Sequence, residues 1–262
     1  EDAAVHLVFT VGPMRRSERA RVHYTRRRSG EPSFDEPRVI SELRPPSGAS
    51  APSIDLDGRG NVYVLWEHHP KHEGPARGLG FTSSQDGGDT WAPFSPINED
   101  PDYLRWMGTV QDGTPDGPKL HSILVDPRDP AHLYFAMSGG GVHESCDGGQ
   151  TFAPLLKGLE VVEGFDVTDP TFHDPHCVRL SPANPDRLYQ QNHCGIYRLD
   201  RPGDSWVRIG RAMPAEVGDI GFPMVVHPRD AERVWVFPRD GQSVWPRTSP
   251  DGKPAVYTTR DG

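Results

Sequence analysis

Ser84-Gln85-Asp86-Gly87-Gly88-Asp89-Thr90-Trp91 and Ser145-Cys146-Asp147-Gly148-Gly149-Gln150-Thr151-Phe152 both read S-x-D-x-G-x-T-[WF]. The pattern describes a hairpin turn. Asp and Ser side chains bond neighbouring backbone groups, Gly supplies φ > 0, and the closing aromatic is expected to pack beneath the turn. Ser84, Asp86, Gly88 and Trp91, and Ser145, Asp147, Gly149 and Phe152, are therefore expected to have structural roles. Weaker copies stand at Gly203-Asp204-Ser205-Trp206 and Ser33-Phe34, and Thr259-Arg260-Asp261-Gly262 begins another.

A second repeat runs in register with these turns: an apolar strand, a turn, and a second apolar strand. Its copies are Ser53–Asp57 with Val62–Leu65, Ser122–Pro127 with Leu133–Ala136, Cys177–Pro182 with Leu188–Gln190, and Met224–Pro228 with Val234–Val236. Prolines 127, 182 and 228 fall at intervals of 55 and 46 residues, close to one four-stranded propeller blade plus loops. The expected fold class is all-β, a β-propeller of four-stranded antiparallel blades. About five whole or partial blades fit in residues 1–262, read as one domain cut at both ends from a six- or seven-bladed propeller. No segment sustains an apolar period of 3.6 residues, so no helix longer than about three turns is expected. Leu155–Leu159 is the place for a single helical turn.

Composition agrees. The 262 residues include 28 Gly and 28 Pro with 34% hydrophobic residues, which suits short strands and many turns. A net charge of −9 argues against a nucleic-acid surface, and no apolar stretch is long enough for a membrane span. Arg26-Arg27-Arg28 is read as a solvated strand end. Cys146, Cys177 and Cys194 are too few for a disulfide framework. Counted from the Asn184-Pro185-Asp186 turn, Cys177 and Cys194 stand opposite each other, as a bonded pair or as two buried thiols. The compartment is left open.

The paired turns and hairpins resemble the BNR/Asp-box repeat families, which include sialidases, sortilin-type propellers and bacterial sialidase-like or glycosyl-hydrolase-like proteins. From Lys119 onward the chain resembles bacterial BNR-repeat proteins carrying Asp174-Pro175-His176 and Asn192-His193-Cys194-Gly195-Ile196-Tyr197. The resemblance implies a propeller whose ligand binds where the innermost strands begin and the second strands end. A sialidase would also show a Phe/Tyr-Arg-Ile-Pro motif. Gly12-Pro13-Met14-Arg15-Arg16 is the nearest basic element and does not match it.

This register brings candidate residues to one face. Glu67, Asp174, Asp219 and Asp240 are the carboxylates from which a glycoside hydrolase would draw its acid/base pair. Trp66, Lys119, His121, Asn192, Arg239 and Trp245 are candidate ligand contacts. His173, His176 and His193 with Asp174 can hold a divalent metal such as zinc, or can instead bond loop backbones. Three functions follow: a carbohydrate-acting hydrolase, a non-catalytic propeller binding a glycan, peptide or protein, and a metal-binding protein.

Overall fold

The computed structural model describes residues 3–12, 20–41, 48–69, 78–92, 119–239 and 248–261. They form five antiparallel sheets in chain order. Sheet one is β1 (Val5–Val11), β2 (Arg21–Arg27) and β3 (Arg38–Val39); sheet two is β4 (Gly48–Leu56), β5 (Val62–His69) and β6 (Gly78–Ser84). The third has four strands, β7 (Lys119–Asp126), β8 (Asp129–Ser138), β9 (Gly141–Ser145) and β10 (Ala153–Pro154). The fourth is β11 (Pro175–Ser181), β12 (Asn184–Asn192), β13 (Gly195–Asp200) and β14 (Val207–Arg208). The fifth is β15 (Gly221–His227), β16 (Asp230–Pro238) and β17 (Tyr257–Thr259). Each sheet is an up-and-down meander, with strands paired in sequence order.

Among the described residues helix is limited to short 3-10 turns such as Pro170–Phe172 and Ile209–Ala212, and no helix is long and apolar enough to cross a membrane. Leu155–Leu159 forms a hydrogen-bonded turn, with Leu159 N–H donating to Leu156 O, and not a helical turn. Leu155 and Leu159 are buried and Leu156 is half-buried.

The chain divides into two compact units. One contains residues 1–133 and 145–152, the other residues 134–144 and 153–262. Within the first, β1 packs on β4 and β4 on β7; within the second, β11 packs on β15. The first strand of one sheet thus lies against the first strand of the next. Side chains tie that seam as well: Asp55 accepts from Val125 N–H at 2.7 Å and Ser53 Oγ from Ile123 N–H at 3.1 Å. The first unit's core includes Val22, Tyr24, Val62, Val64 and Trp66, and the second's includes Cys177, Tyr189, Ile196, Met224, Val234 and Val236.

The two S-x-D-x-G-x-T-[WF] turns are built alike. Ser84 Oγ accepts from Gly88 N–H at 2.7 Å, and Ser145 Oγ from Gly149 N–H at 2.9 Å. Asp86 accepts from Asp89 N–H, Thr90 N–H and Thr90 Oγ1; Asp147 accepts from Gln150 N–H, Thr151 N–H and Thr151 Oγ1. Trp91 packs on the first unit's core, its ring 4.8 Å from Tyr24, and Phe152 is buried. Thr259 and Asp261 reproduce the opening of the same turn: Thr259 Oγ1 donates to Asp261 Oδ1 at 2.7 Å, as Ser84 does to Asp86.

Some burial pushes the Asp147 carboxyl up, but its bonds from Thr151, Ser145 and Gln150 dominate and hold it at about 2. The turn's contribution is therefore complete above the ordinary carboxylate range and is lost as pH falls from about 4 toward 2. Asp147→Ala is expected to cost about 1 to 2 kcal/mol, because backbone donors lose their acceptor at a partly solvated turn. Chemical denaturation at pH 7 checks this, and the gap between variant and wild type should narrow toward pH 2.

One basic element departs from expectation. Arg26 is buried in the first unit, donating to Gly87 O at 2.6 Å and pairing with Asp35 at 3.3 Å and with Asp89. Its neighbours supply enough charge to bury it, so the run Arg26-Arg27-Arg28 is partly a structural clamp.

Candidate functional site

The best-defined constellation lies in the second unit, at the ends where β11 and β15 begin and β12 and β16 finish. Pro175 pairs with Asn192 and Gly221 with Pro238. Both first strands carry a register shift there, between Pro175 and Cys177 and between Gly221 and Met224. A bulge re-aims side chains out of strict alternation, and His176 and Phe222 occupy these two bulges. Their rings stack at 4.2 Å and 11°, and His176 Nδ1 bonds Gly221 O at 2.6 Å.

Asp174 is the hub. Its Oδ2 lies 3.2 Å from His176 Nε2 and 3.3 Å from His193 Nδ1, while Ser138 Oγ, from the end of β8, donates to its Oδ1. Its backbone carbonyl accepts from His193 N–H at 2.9 Å, which anchors the turn carrying His193. The side chain of His176 is 4% exposed, that of His193 15% and that of Asp174 29%, so the group opens to solvent on one side. Burial acts to raise the Asp174 carboxyl's pKa, but its contacts with the His176 and His193 imidazoles and with the Ser138 hydroxyl outweigh it and hold the group far below the usual carboxylate range. Asp174 is an anion at any physiological pH.

Other expected residues are placed differently. His173 is not part of this group: its ring is buried and Nε2 bonds Val167 O at 2.8 Å, while its backbone carbonyl accepts from Gly140 and Gly141 N–H. It fastens the loop before β11, and burial pushes its pKa down. Asn192 is buried and shapes the following turn, its Oδ1 accepting from Cys194 N–H at 3.0 Å and its Nδ2 donating to Gln190 Oε1 at 3.2 Å. Asp219 has both oxygens bonded by Arg208 at 2.9 Å, and that pair is wedged against Gly195 and Gly210. A carboxylate so engaged is a strut and a poor proton shuttle. Arg239 N–H donates to Ile220 O at 2.7 Å, which keeps Arg239 at the same strand ends as Phe222, with its guanidinium 5.5 Å from the Phe237 ring centroid.

Cys177 pairs with Gln191 and not with Cys194, because the hairpin turns at Pro182-Ala183, ahead of Asn184-Pro185-Asp186, and Cys194 falls in the turn after β12. Both thiols are free and buried, and burial raises both their pKa values.

In the first unit, Trp66 is a core residue at 1% exposure and cannot meet a ligand. Glu67 is buried beside it, accepting from Leu120 N–H at 3.0 Å and from Ser50 Oγ at 3.4 Å. Lys119 is exposed at the start of β7, and His121 Nδ1 lies 2.8 Å from Ser122 Oγ. Asp240 and Trp245 lie outside the described residues.

With this geometry in view, solved structures show what the chain is similar to. A GH74 xyloglucanase from Xanthomonas campestris matches 98% of the chain at 15% identity and a TM-score of 0.58. A Hadza microbial sialidase matches 98% at 14% identity and a TM-score of 0.51, and the α-L-arabinofuranosidase Arb93A from Fusarium graminearum, solved with an iminosugar inhibitor, matches 98% at 11% and 0.52. The fold is that of a β-propeller. The chain spans 35% of the xyloglucanase, 56% of the sialidase and 71% of the arabinofuranosidase. No protein-family model and no curated protein sequence matches it.

Phe222 was not among the expected contacts, yet a sequence signal for it exists, the same repeat register that puts Ser138 on this face. Phe222 stands six residues before Pro228, as His176 stands before Pro182 and His121 before Pro127. Ser138, His193 and Arg239 each stand eleven residues after the same three prolines.

Proposed function

We propose that this chain is part of a carbohydrate-active propeller of the BNR/Asp-box type, and that it takes a glycan at the strand ends around Asp174 and Phe222. The carrying observation is one exposed aromatic ring beside polar groups: Phe222 is 41% exposed and stacks on His176, which faces the Asp174 carboxylate. A sugar ring offers an apolar C–H face and a rim of hydroxyls, so it suits a wet aromatic beside acceptors and donors. Likeness to a xyloglucanase, a sialidase and an arabinofuranosidase supports a carbohydrate over other small ligands.

Hydrolysis is the finer form of this reading. It needs a second carboxyl roughly 5 to 10 Å from the first. Asp219 is held by Arg208 and Glu67 by a backbone amide, so Asp240, one residue beyond Arg239, is the partner proposed for Asp174.

The test is a glycan array followed by titration of any hit, with aryl glycosides and xyloglucan as hydrolysis substrates. Phe222→Ala is expected to weaken glycan binding by about tenfold or more while the melting temperature stays within a few degrees, since the ring is solvent-facing. Binding that is absent from the wild type, or unchanged in the variant, refutes the site; a peptide as the only ligand found refutes the carbohydrate reading. Asp174→Asn separates the two forms, because it abolishes hydrolysis if Asp174 is catalytic.

A further inference from the structure

We propose that Asp174, His176 and His193 form a site for one divalent first-row transition ion, zinc foremost, with Ser138 and the Gly221 carbonyl as its supporting shell. This does not depend on the carbohydrate reading, because it rests on donor geometry alone.

The first argument concerns protons. A carbonyl oxygen only accepts, so the 2.6 Å contact between His176 Nδ1 and Gly221 O requires the hydrogen on Nδ1. In a neutral ring Nε2 is then bare. That bare nitrogen points at the Asp174 carboxylate from 3.2 Å, and the two lone pairs would repel. Something positive belongs between them: a second proton on His176, or a metal ion. His193 Nδ1 approaches the same oxygen at 3.3 Å from another direction, its ring at 79° to that of His176. A proton bridges two atoms, whereas a cation serves three donors at once.

The second argument is spacing. A tetrahedral ion with bonds of about 2.0 to 2.1 Å holds its ligands about 3.3 Å apart. Both histidine nitrogens stand at that separation from Asp174 Oδ2, and all three donor atoms fall within 4.8 Å of one another. The third argument is the outer shell. A metal-binding histidine characteristically donates its other N–H to a carbonyl or carboxylate, which sets tautomer and ring direction, and a ligating carboxylate is itself hydrogen-bonded. His176 has Gly221 O, and Asp174 has Ser138 Oγ on the oxygen that faces away from the histidines. Two imidazoles and one carboxylate suit zinc or a neighbouring transition ion better than calcium or magnesium, which prefer oxygen sets. Three protein donors with a solvent-facing carboxylate leave a fourth position for water or a ligand oxygen.

The experiment is metal analysis of the purified chain after loading with zinc and dialysis against metal-free buffer. About one zinc per chain is expected, falling below about a tenth in His176→Ala and in the near-isosteric Asp174→Asn, with circular dichroism confirming that each variant is folded. Should a variant not fold, the wild type loaded with Co(II) still decides: the site predicts visible d–d bands without thiolate charge transfer, since the ligands are nitrogen and oxygen. A wild type that retains no metal overturns the proposal. Zinc retained equally by both variants, or a cobalt thiolate band, places the ion elsewhere and overturns it as well.

Discussion

Gly80→Ala is expected to destabilise the protein by about 2 to 4 kcal/mol, an unusually large effect for one added methyl group. Gly80 pairs with Trp66 across β5 and β6, and a Cβ there would come within 2.1 Å of Trp66 Cε2, 2.2 Å of Nε1 and 2.5 Å of Cζ2. The indole lies flat over the glycine. It has nowhere to retreat, being 1% exposed and packed in the cluster with Val22, Tyr24 and Val64. Strain, not lost burial, would therefore dominate. A double-mutant cycle tests this cause: Trp66→Ala alone should cost about 3 to 5 kcal/mol through the cavity it leaves, and Gly80→Ala added to it should cost about 1 kcal/mol or less, because the clash has gone. Equal costs in both backgrounds would show that Gly80 is needed for a reason other than the indole.

Trp66 also shows where the repeat was legible and where it was not. The second strand of its sheet was readable, but it runs on to His69, so Trp66 lies within the strand and not at its end, where an aromatic reads naturally as a ligand platform. Whether that ring turns outward or into the sheet depends on its cross-strand neighbour, and the residue that admits it, Gly80, stands fourteen positions further on. The strands were readable because hairpin turns carry local chemistry: Asp126-Pro127, Ser181-Pro182 and His227-Pro228 mark their turns within a few residues, and the Ser–Asp–Gly turns are closed by side chains within the same few residues. The fourth strands of sheets one, two and five were expected and are not among the described residues.

Side-chain direction at the site was legible only in part. The register put His176, His193 and Asp174 at one end of one hairpin, and they do meet. What it hid was the bulge at His176, which breaks the two-residue alternation and turns the ring onto Phe222, and the hairpin's turn at Pro182-Ala183, which leaves Cys177 opposite Gln191. Bulges depend on packing between neighbouring sheets and leave no short-range pattern. Likewise, Asp219 reads as a free loop carboxylate until the fold brings Arg208 against it, and His173 reads as one of a histidine cluster until its ring is seen bonded to Val167 O. The more reliable guide was repeat position: the residues six before and eleven after each turn proline gather at the same strand ends in the second unit, where they supply His176, Phe222, Ser138, His193 and Arg239.

Mild acid should destabilise the protein well before its carboxylates titrate, with His143 the largest single cause. His143 is fully enclosed in the second unit, stacked on Phe135 at 4.7 Å and 12°, with Nε2 bonded to Gly140 O at 2.7 Å. Burial opposes the charged ring, and the Gly140 carbonyl, which favours it, does not compensate; the pKa is pushed down from 6.5 to about 4. The unfolded chain carries its histidine near 6.5 and so binds a proton that the folded chain refuses. Stability from this residue is complete above about pH 6.5, declines as pH falls, and is exhausted near pH 4. Each tenfold difference in proton affinity is about 1.4 kcal/mol, so the full loss is about 3 kcal/mol, a large share of an ordinary domain's stability. His173, His68 and His6, whose pKa values burial also lowers, act in the same direction. Denaturant titrations at pH 7, 5.5 and 4.5 on wild type and His143→Gln isolate the contribution. The glutamine variant will be less stable at pH 7, since it gives up the ring's stacking, but its stability should fall by about 2 kcal/mol less than that of the wild type between pH 7 and 4.5. Parallel curves for the two proteins would mean that His143 is protonated equally in the folded and unfolded chains, and that its enclosure beside Phe135 does not exclude charge.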